Sequence, residues 1–134
     1  MVKDKYFHYL DSVDTHGTNV FYFEIINVHT KNELLSAYNI HLKFPYFGFN
    51  WDALKDSLCG LNEWIKEKEI VVIHRELPHL PDKELRIYIT VLYDVCELWE
   101  KYPDVLSFQV FFAEKDKTTI SEILKSINSR FDVI

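Results

Sequence analysis

The sequence predicts an α/β fold in which a small three-stranded parallel sheet is covered by about four helices. Three runs of aromatic and β-branched residues, typical of strands, alternate with longer segments that have the apolar spacing of amphipathic helices. Strands separated by helices favour parallel pairing, because a parallel connection needs a crossover long enough to hold a helix. The chain has 134 residues, so we expect a single domain over residues 1–134.

The N-terminal part of the chain contains one strong strand pattern and one weak one. Residues 19–27 (NVFYFEIIN) are aromatic and β-branched, which predicts a strand of the sheet. Residues 5–10 would add an outer strand, followed by a turn over residues 14–17, where the sequence is Asp-Thr-His-Gly. We therefore expect a sheet of three strands, with residues 5–10 as a possible fourth strand at its edge.

A helix and an aromatic loop come next. Thr30 and Glu33 form a capping-box pattern ahead of apolar residues at helical spacing, which predicts a helix over residues 31–43. Pro45 favours an end to that helix, because the residue before a proline is pushed out of the helical region. Residues 44–49 (FPYFGF) then form a short aromatic loop.

A second helix is predicted over residues 51–66. Asn50 is a typical N-cap, and Asp52 stands in the first turn, where the positive end of the helix dipole favours an acid. Apolar residues follow at alternating spacings of three and four, namely Trp51, Leu54, Leu58, Leu61 and Ile65. The continuous apolar run in residues 69–74 (EIVVIH) predicts a strand that is covered on both faces.

The C-terminal half repeats the same alternation. Residues 82–101 have apolar side chains in helical phase, and Pro103 follows the end of this predicted helix. Residues 106–113 (LSFQVFFA) predict a third strong strand. Thr119 followed by Glu122 is the opening of a last amphipathic helix. We take residues 19–113 as the core of the domain, and residues 1–18 and 114–134 as extensions of it.

The charge of the chain restricts its partners. The net charge is −6, and residues 46–104 hold 12 acidic and 7 basic residues, so most of the excess lies in the middle of the chain. An acidic protein has no bulk attraction for nucleic acid or for an anionic membrane, and a basic protein is its natural complement. We expect neither a signal peptide nor a membrane span, because no long apolar run is present, and we therefore expect a cytoplasmic protein.

Motifs for catalysis or cofactor binding are missing from the sequence. It contains no Gly-rich phosphate loop and no GxSxG or SxxK motif, and its six histidines form no HxH or HxxxH pair. We therefore expect no metal, no cofactor and no catalytic residue. Cys59 and Cys96 are far apart in sequence, which favours two free thiols in a reducing compartment and leaves a single disulfide as the alternative.

Carboxylates on the second predicted helix have three interpretations. Asp52 and Asp56 are four residues apart and lie on one face, and Glu63 continues that stripe. They can be a solvated helical face, an acid pair of a hydrolase, or an acidic docking face for a cationic partner. The adjacent aromatic loop favours docking, because four aromatic side chains cannot all be buried in so short a loop and an exposed tyrosine is a frequent interface anchor.

Residues 44–61 (FPYFGFNWDALKDSLCGL) resemble the barstar family, whose members inhibit small secreted ribonucleases. The resemblance includes the aromatic pair Tyr46-Phe47 and, after it, Gly48, Asn50, Asp52-Ala53-Leu54, Asp56, Leu58 and Gly60. The order of strands and helices over about residues 19–113 is also similar to that of the family. The resemblance implies a barstar-like fold and a protein that blocks a nuclease.

The same resemblance implies which residues bind the partner. In the family, the acid at the position of Asp56 enters the nuclease active site and takes the place of the RNA phosphate. A tyrosine at the position of Tyr46 packs on the ribonuclease, and an acid of the third helix, here assigned as Glu97 with Asp94 and Glu100 beside it, adds a contact. The implied partner-binding positions are Tyr46, Phe47, Asn50, Asp52, Lys55, Asp56, Gly60 and Glu97.

The sequence departs from the family pattern at the implied contact surface. Lys55 and Leu61 stand where the best-known member has tryptophans, and Phe49 replaces a charged loop residue. We therefore expect this chain to be an immunity protein. Its expected partner is a small basic nuclease toxin, most simply a ribonuclease, that differs from the ribonuclease bound by the best-known member. The alternatives are an interaction module of the same fold with a non-nuclease partner, and a hydrolase that uses Asp52 and Asp56.

Overall fold

The computed structural model describes residues 6–10 and 20–132 and confirms the predicted α/β class. The four parallel strands are β1 (Phe7–Leu10), β2 (Val20–Glu24), β3 (Glu69–His74) and β4 (Ser107–Ala113), in the spatial order β1-β4-β3-β2. The four α-helices are α1 (Lys31–Leu42), α2 (Trp51–Cys59), α3 (Asp82–Glu100) and α4 (Lys117–Asp132).

The N-terminal strand is confirmed, and it lies at an edge of the sheet. β1 pairs with β4, so that Phe7 is opposite Val110. The next strands continue the row, with Val110 opposite Val72 and Val72 opposite Phe23. These four apolar side chains cross the whole sheet on the face that packs against the helices, and all are buried. The turn predicted over residues 14–17 lies outside the described residues.

The predicted length of the second helix is wrong. α2 ends at Cys59 and not at residue 66, and a short 3-10 helix, Leu61–Glu63, follows it. Gly60 causes this end, because it is the poorest helix former after proline and its backbone has left the helical region. Its N–H is donated to the carbonyl of Ser57, three residues back, at 3.2 Å. Leu61 is still buried, since the tighter turn keeps it directed at the core.

The predicted start of the last helix is also wrong. α4 begins at Lys117, after a short 3-10 helix over Glu114–Asp116, so Thr119 is inside the first turn and is not an N-cap. The preceding 3-10 helix passes directly into α4, which leaves no place for a capping residue at Thr119. The apolar stripe of this helix is buried in the common core, as predicted, through Ile120, Ile123, Leu124 and Ile127.

A chain of buried polar groups crosses the core between α1, α3 and β3. His74 is fully buried; its Nδ1 lies 3.0 Å from the carbonyl of Phe111, and its Nε2 lies 2.6 Å from the hydroxyl of Tyr88. That hydroxyl is 2.6 Å from the hydroxyl of Tyr38. The carbonyl can only accept, so Nδ1 donates to it, Nε2 accepts from Tyr88, and Tyr88 accepts from Tyr38. This direction of donation holds when His74 is neutral.

This arrangement predicts a pH-dependent stability. Burial lowers the pKa of His74 to about 4, from its ordinary 6.5, although the hydrogen bond to Phe111 acts in the opposite direction. In the unfolded chain His74 therefore binds a proton below pH 6.5, whereas in the folded chain it stays neutral until about pH 4. The contribution of His74 to stability is complete above pH 6.5 and is lost as the pH falls toward 4, with a slope approaching about 1.4 kcal/mol per pH unit.

The test compares His74→Gln with the parent protein by chemical denaturation between pH 7.5 and pH 4.5. We expect the variant to be less stable at pH 7.5 by about 1–3 kcal/mol, because buried hydroxyls lose a partner. This difference should shrink by about 2 kcal/mol as the pH falls to 5, since glutamine does not titrate. His29→Gln, at an exposed histidine, is the control and should keep the slope of the parent. Parallel curves for parent and His74→Gln would contradict the assignment.

Candidate partner-binding site

The loop over residues 44–49 is anchored to the core by some of its aromatic side chains and exposes the others. Phe44 is buried, and its ring lies 4.9 Å from that of Phe47, which is half-buried. Tyr46 is 85% exposed and Phe49 is 47% exposed. The expectation that these four aromatics are not all buried is therefore confirmed. The buried rings fix the loop, and Tyr46 projects from it.

The start of α2 is held against this loop by polar contacts. The side-chain oxygen of Asn50 accepts a hydrogen bond from the N–H of Ala53 at 2.7 Å, which confirms the predicted N-cap. Gly48 lies so close to the helix that a Cβ on it would meet the Cβ of Ala53 at 3.3 Å, closer than ordinary packing allows. Phe49, with φ of 53°, is in the left-handed region, so the turn into the helix is a strained one.

The exposed face of α2 carries the predicted carboxylates. Asp52 and Asp56 are both exposed and one helical turn apart, and Glu63 is exposed on the following 3-10 helix. Across residues 6–10 and 20–132, these three carboxylates make no hydrogen bond and no ion pair. Other acids do have partners: Glu24 binds Arg75 through two hydrogen bonds, and Asp82 binds Arg86.

Two open concavities lie side by side on this surface and share three residues, Tyr46, Asp56 and Ser57. We name the first the Asp52 concavity; its other lining residues are Asp52, Ala53, Asn50 and Gly48. We name the second the Trp64 concavity; Gly60, Glu63 and Trp64 complete it, together with Pro45. The fold thus brings together the predicted site residues Tyr46, Asn50, Asp52, Asp56 and Gly60.

The remaining predicted site residues line neither concavity. Phe47 packs within the loop, 4.8 Å from the ring of Phe49. Lys55 forms an ion pair of 3.1 Å with Asp94 where α2 meets α3. Glu97 is exposed on α3 and lies on the side toward Tyr6. The pKa of Tyr6 is raised mainly by burial and by its hydrogen bond to Glu100, and the charge of Glu97 adds a smaller effect. The contact assigned to Glu97 stays a prediction.

Sequence reasoning did not assign Ser57 or Trp64 to the site. Trp64 is half-buried, and its indole N–H is donated to the carbonyl of Leu42 at 2.9 Å. The available signal was spacing, since Trp64 follows Asp56 by eight residues, a little over two helical turns. The chain leaves the helix at Gly60, so spacing alone could not show that the two residues border one concavity.

Both thiols are free, as the favoured interpretation predicted, and neither is set up for chemistry. Burial raises the pKa of Cys59, the largest effect on that thiol, and burial raises the pKa of Cys96 as well. A thiol is a good nucleophile only as a thiolate, so these shifts disfavour reactivity. In the described part of the chain, no three His, Cys, Asp or Glu side chains are grouped so that they could hold a metal ion, and no helix is long and apolar enough to cross a membrane.

Comparison with protein families matches residues 18–113 to the Barstar family, described as barstar (barnase inhibitor). This match spans more than two thirds of the chain and includes β2 through β4 with the whole α2 surface. The chain belongs to the barstar family, and its parallel sheet and helices agree with that fold. Comparisons with curated proteins and with solved structures give no significant match.

The cap at Asn50 generates a prediction about how the loop is held. Asn50→Ala removes the hydrogen bond to Ala53 and should lower the free energy of unfolding by about 1 kcal/mol. Thr30→Ala removes the equivalent cap of α1, where the threonine hydroxyl accepts from the N–H of Glu33 at 3.1 Å, and should cost a similar amount.

The two cap variants should differ in where their amide NMR signals move. Asn50→Ala should shift the signals of residues 46–49, because the side chain of Asn50 also contacts the carbonyl of Gly48 at 3.4 Å. Thr30→Ala should leave those signals in place. Equal shifts in residues 46–49 for both variants would show that Asn50 does not hold the loop.

Proposed function

We propose that this protein inhibits a cationic nuclease, most simply a ribonuclease, by inserting the exposed face of α2 and the side chain of Tyr46 into its active site. The observation that carries the proposal is the unpaired state of Asp52 and Asp56 on a rigid, exposed helix, within the described residues. Membership of the barstar family supports the partner class, since that family is described as inhibitors of barnase.

Electrostatics explain how this surface would block a nuclease. An active site that binds the phosphates of RNA must present cationic and N–H groups to them. Two carboxylates one helical turn apart can accept charge-assisted hydrogen bonds from the same groups. Because Asp52 and Asp56 have no partner within the described chain, binding breaks no existing ion pair, and its electrostatic cost is their desolvation. Opposite charge on the two proteins also raises the rate of association.

Rigidity reduces the entropic cost of this interaction. Leu54 and Leu58 are fully buried on the opposite face of α2, and Asn50 caps its first turn. The carboxylates are therefore already on a fixed backbone before the partner arrives, so that binding orders little beyond their own side chains. Tyr46 supplies apolar area beside them, and a tyrosine of this exposure is a typical interface anchor. We infer an immunity role in the cytoplasm of a bacterium that makes such a toxin.

A second candidate is a module of the same fold that binds a partner other than a nuclease. Two observations favour a changed partner. Lys55 is engaged with Asp94 at the surface position of a family tryptophan, and Leu61, at the position of another, is fully buried. A hydrolase that uses Asp52 and Asp56 has less support, because both carboxylates are exposed on an open surface and no described group beside them is a nucleophile held by a base.

The experiment is an RNA-cleavage assay with a barnase-like ribonuclease and with any small basic protein encoded next to this one. We expect the protein to abolish cleavage at a one-to-one ratio. Asp56→Asn should weaken binding by at least about 30-fold, equivalent to about 2 kcal/mol, as hot-spot truncations do. Its stability should not fall, because the change removes repulsion between Asp56 and Asp52 at the i,i+4 spacing.

Glu122→Gln is the matched control, since it removes one negative charge from an exposed position on α4, away from the α2 surface. It should inhibit like the parent. Equal affinity of the parent and Asp56→Asn for an inhibited nuclease would refute the role of Asp56. No inhibition of any basic nuclease, together with retention of a partner that has no phosphate-binding site, would favour the second candidate.

A further inference from the structure

The N-terminal strand β1 is the part of the sheet that lies outside the family match. That match begins at residue 18, so in the matched part of the chain β4 is an edge strand. β4 (SFQVFFA) contains no charged residue and no proline, and it is rich in aromatic residues. A strand of this kind at an edge pairs readily with other chains, and here β1 closes that edge.

The edge that β1 closes is defined by the backbone groups of Phe108, Val110 and Phe112, and we call it the β4 edge. The N–H of Ser107 is donated to the carbonyl of Lys68 at 2.8 Å, on the β3 side, so Ser107 and every second residue after it face β3. The residues between them face the opposite way, toward β1. A parallel segment at the β4 edge uses these backbone groups whatever its own sequence is.

Side chains on both faces of the sheet favour an aromatic segment at the β4 edge. On the helix face, the ring of Phe7 lies 5.3 Å from that of Phe112, and the ring of Tyr9 lies 6.4 Å from it. On the opposite face, the ring of His8 lies 4.9 Å from that of Phe111. β1 thus directs aromatic rings toward the core at alternate positions, and a segment needs this pattern to reproduce its contacts.

The connection from β1 to β2 joins opposite edges of the sheet. Leu10 is in register with Ala113, whereas Val20 is in register, through β3, with Ser107. These ends are three strand spacings apart across the sheet and six residues apart along it, a separation of about 25 Å. The nine residues between them reach about 33–36 Å at full extension, so the connection has little slack. A short connection held at long reach favours exchange of a terminal element between copies.

We infer that the β4 edge binds β1 of a second copy of this chain, so that two molecules exchange their N-terminal strands. The exchanged dimer keeps the contacts of β1, because the same residues meet in both forms. Its net cost is the freedom lost when two molecules join, and release of the connection offsets part of that cost. The chain's own strand competes at an effective concentration of about 1 mM, so exchange is expected at high protein concentration.

This inference does not rest on the proposed function. β1 and β4 are separate from α2 and from the loop over residues 44–49, and nothing in the proposed inhibition of a nuclease requires a second copy. Exchange gives a dimer that carries two α2 surfaces. Each of those surfaces is complete within one molecule, so exchange and inhibition can be tested independently.

The test uses disulfide formation between two full-length variants that each carry one half of a register pair. His8 and Phe111 are opposite each other on the face of the sheet away from the helices. Neighbouring strands are about 4.8 Å apart, a spacing that a disulfide can bridge. His8→Cys and Phe111→Cys are made separately in a Cys59→Ser background, which leaves only the buried Cys96, and are mixed in a redox buffer at about 1 mM.

We expect a disulfide-linked heterodimer in this mixture, because neither variant can form the His8–Phe111 link within one molecule. The matched control mixes His8→Cys with Tyr22→Cys, since Tyr22 is 48% exposed and lies on the same face but on β2, at the opposite edge. The yield of heterodimer should exceed that of the control mixture by at least about fivefold. The double variant His8→Cys/Phe111→Cys should close its disulfide within one molecule at low concentration, which confirms folding and register.

A heterodimer yield no higher than that of the control mixture, from proteins whose double variant closes its own disulfide, would overturn the inference. Failure of the double variant to close would overturn it as well, because β1 would then not occupy the β4 edge. Exchange in a protein that inhibits no nuclease would support the inference and count against the proposed function alone.

Discussion

The packing of α2 against α3 is the constraint on which the candidate site depends. Leu54 and Leu58 are buried in that contact, and the indole N–H of Trp99 on α3 is donated to the carbonyl of Leu58 at 3.0 Å. That carbonyl is one of the last in α2 and would otherwise lack a partner, so the bond both closes the helix and fixes its position. With 3.6 residues per turn, burial of this face directs Asp52 and Asp56 to solvent.

The surface that results is unfavourable for the isolated protein. Two like charges one turn apart repel each other, Phe49 is held in the left-handed region, and Tyr46 exposes a large ring to water. By contrast, the carboxylate of Glu24 is paired with Arg75. Such features persist where surrounding structure enforces them, and their concentration on one surface supports our proposal that it binds a partner.

Much of this structure follows from local sequence pattern, and the rest depends on contacts between distant residues. The spacing of apolar residues and the capping patterns predict the strands, α1, α3 and the exposed face of α2. These features depend on neighbours only a few residues away. The end of α2 at Gly60 depends on one weak helix former. The apolar spacing continues past this residue, so it predicted a longer helix. The bonding of His74 to Tyr88 and the shared concavity of Trp64 and Asp56 arise only once the strands and helices are assembled.

The central claim is that the protein binds a nuclease through the α2 surface, and the most direct measurement maps the contact on the intact chain. Amide signals of the ¹⁵N-labelled protein are recorded before and after saturation with an inhibited ribonuclease. We expect the largest changes in residues 46–64, with α4 and the β2 edge of the sheet unaffected. Changes concentrated on α4 or at that edge, with residues 46–64 unmoved, would contradict this claim.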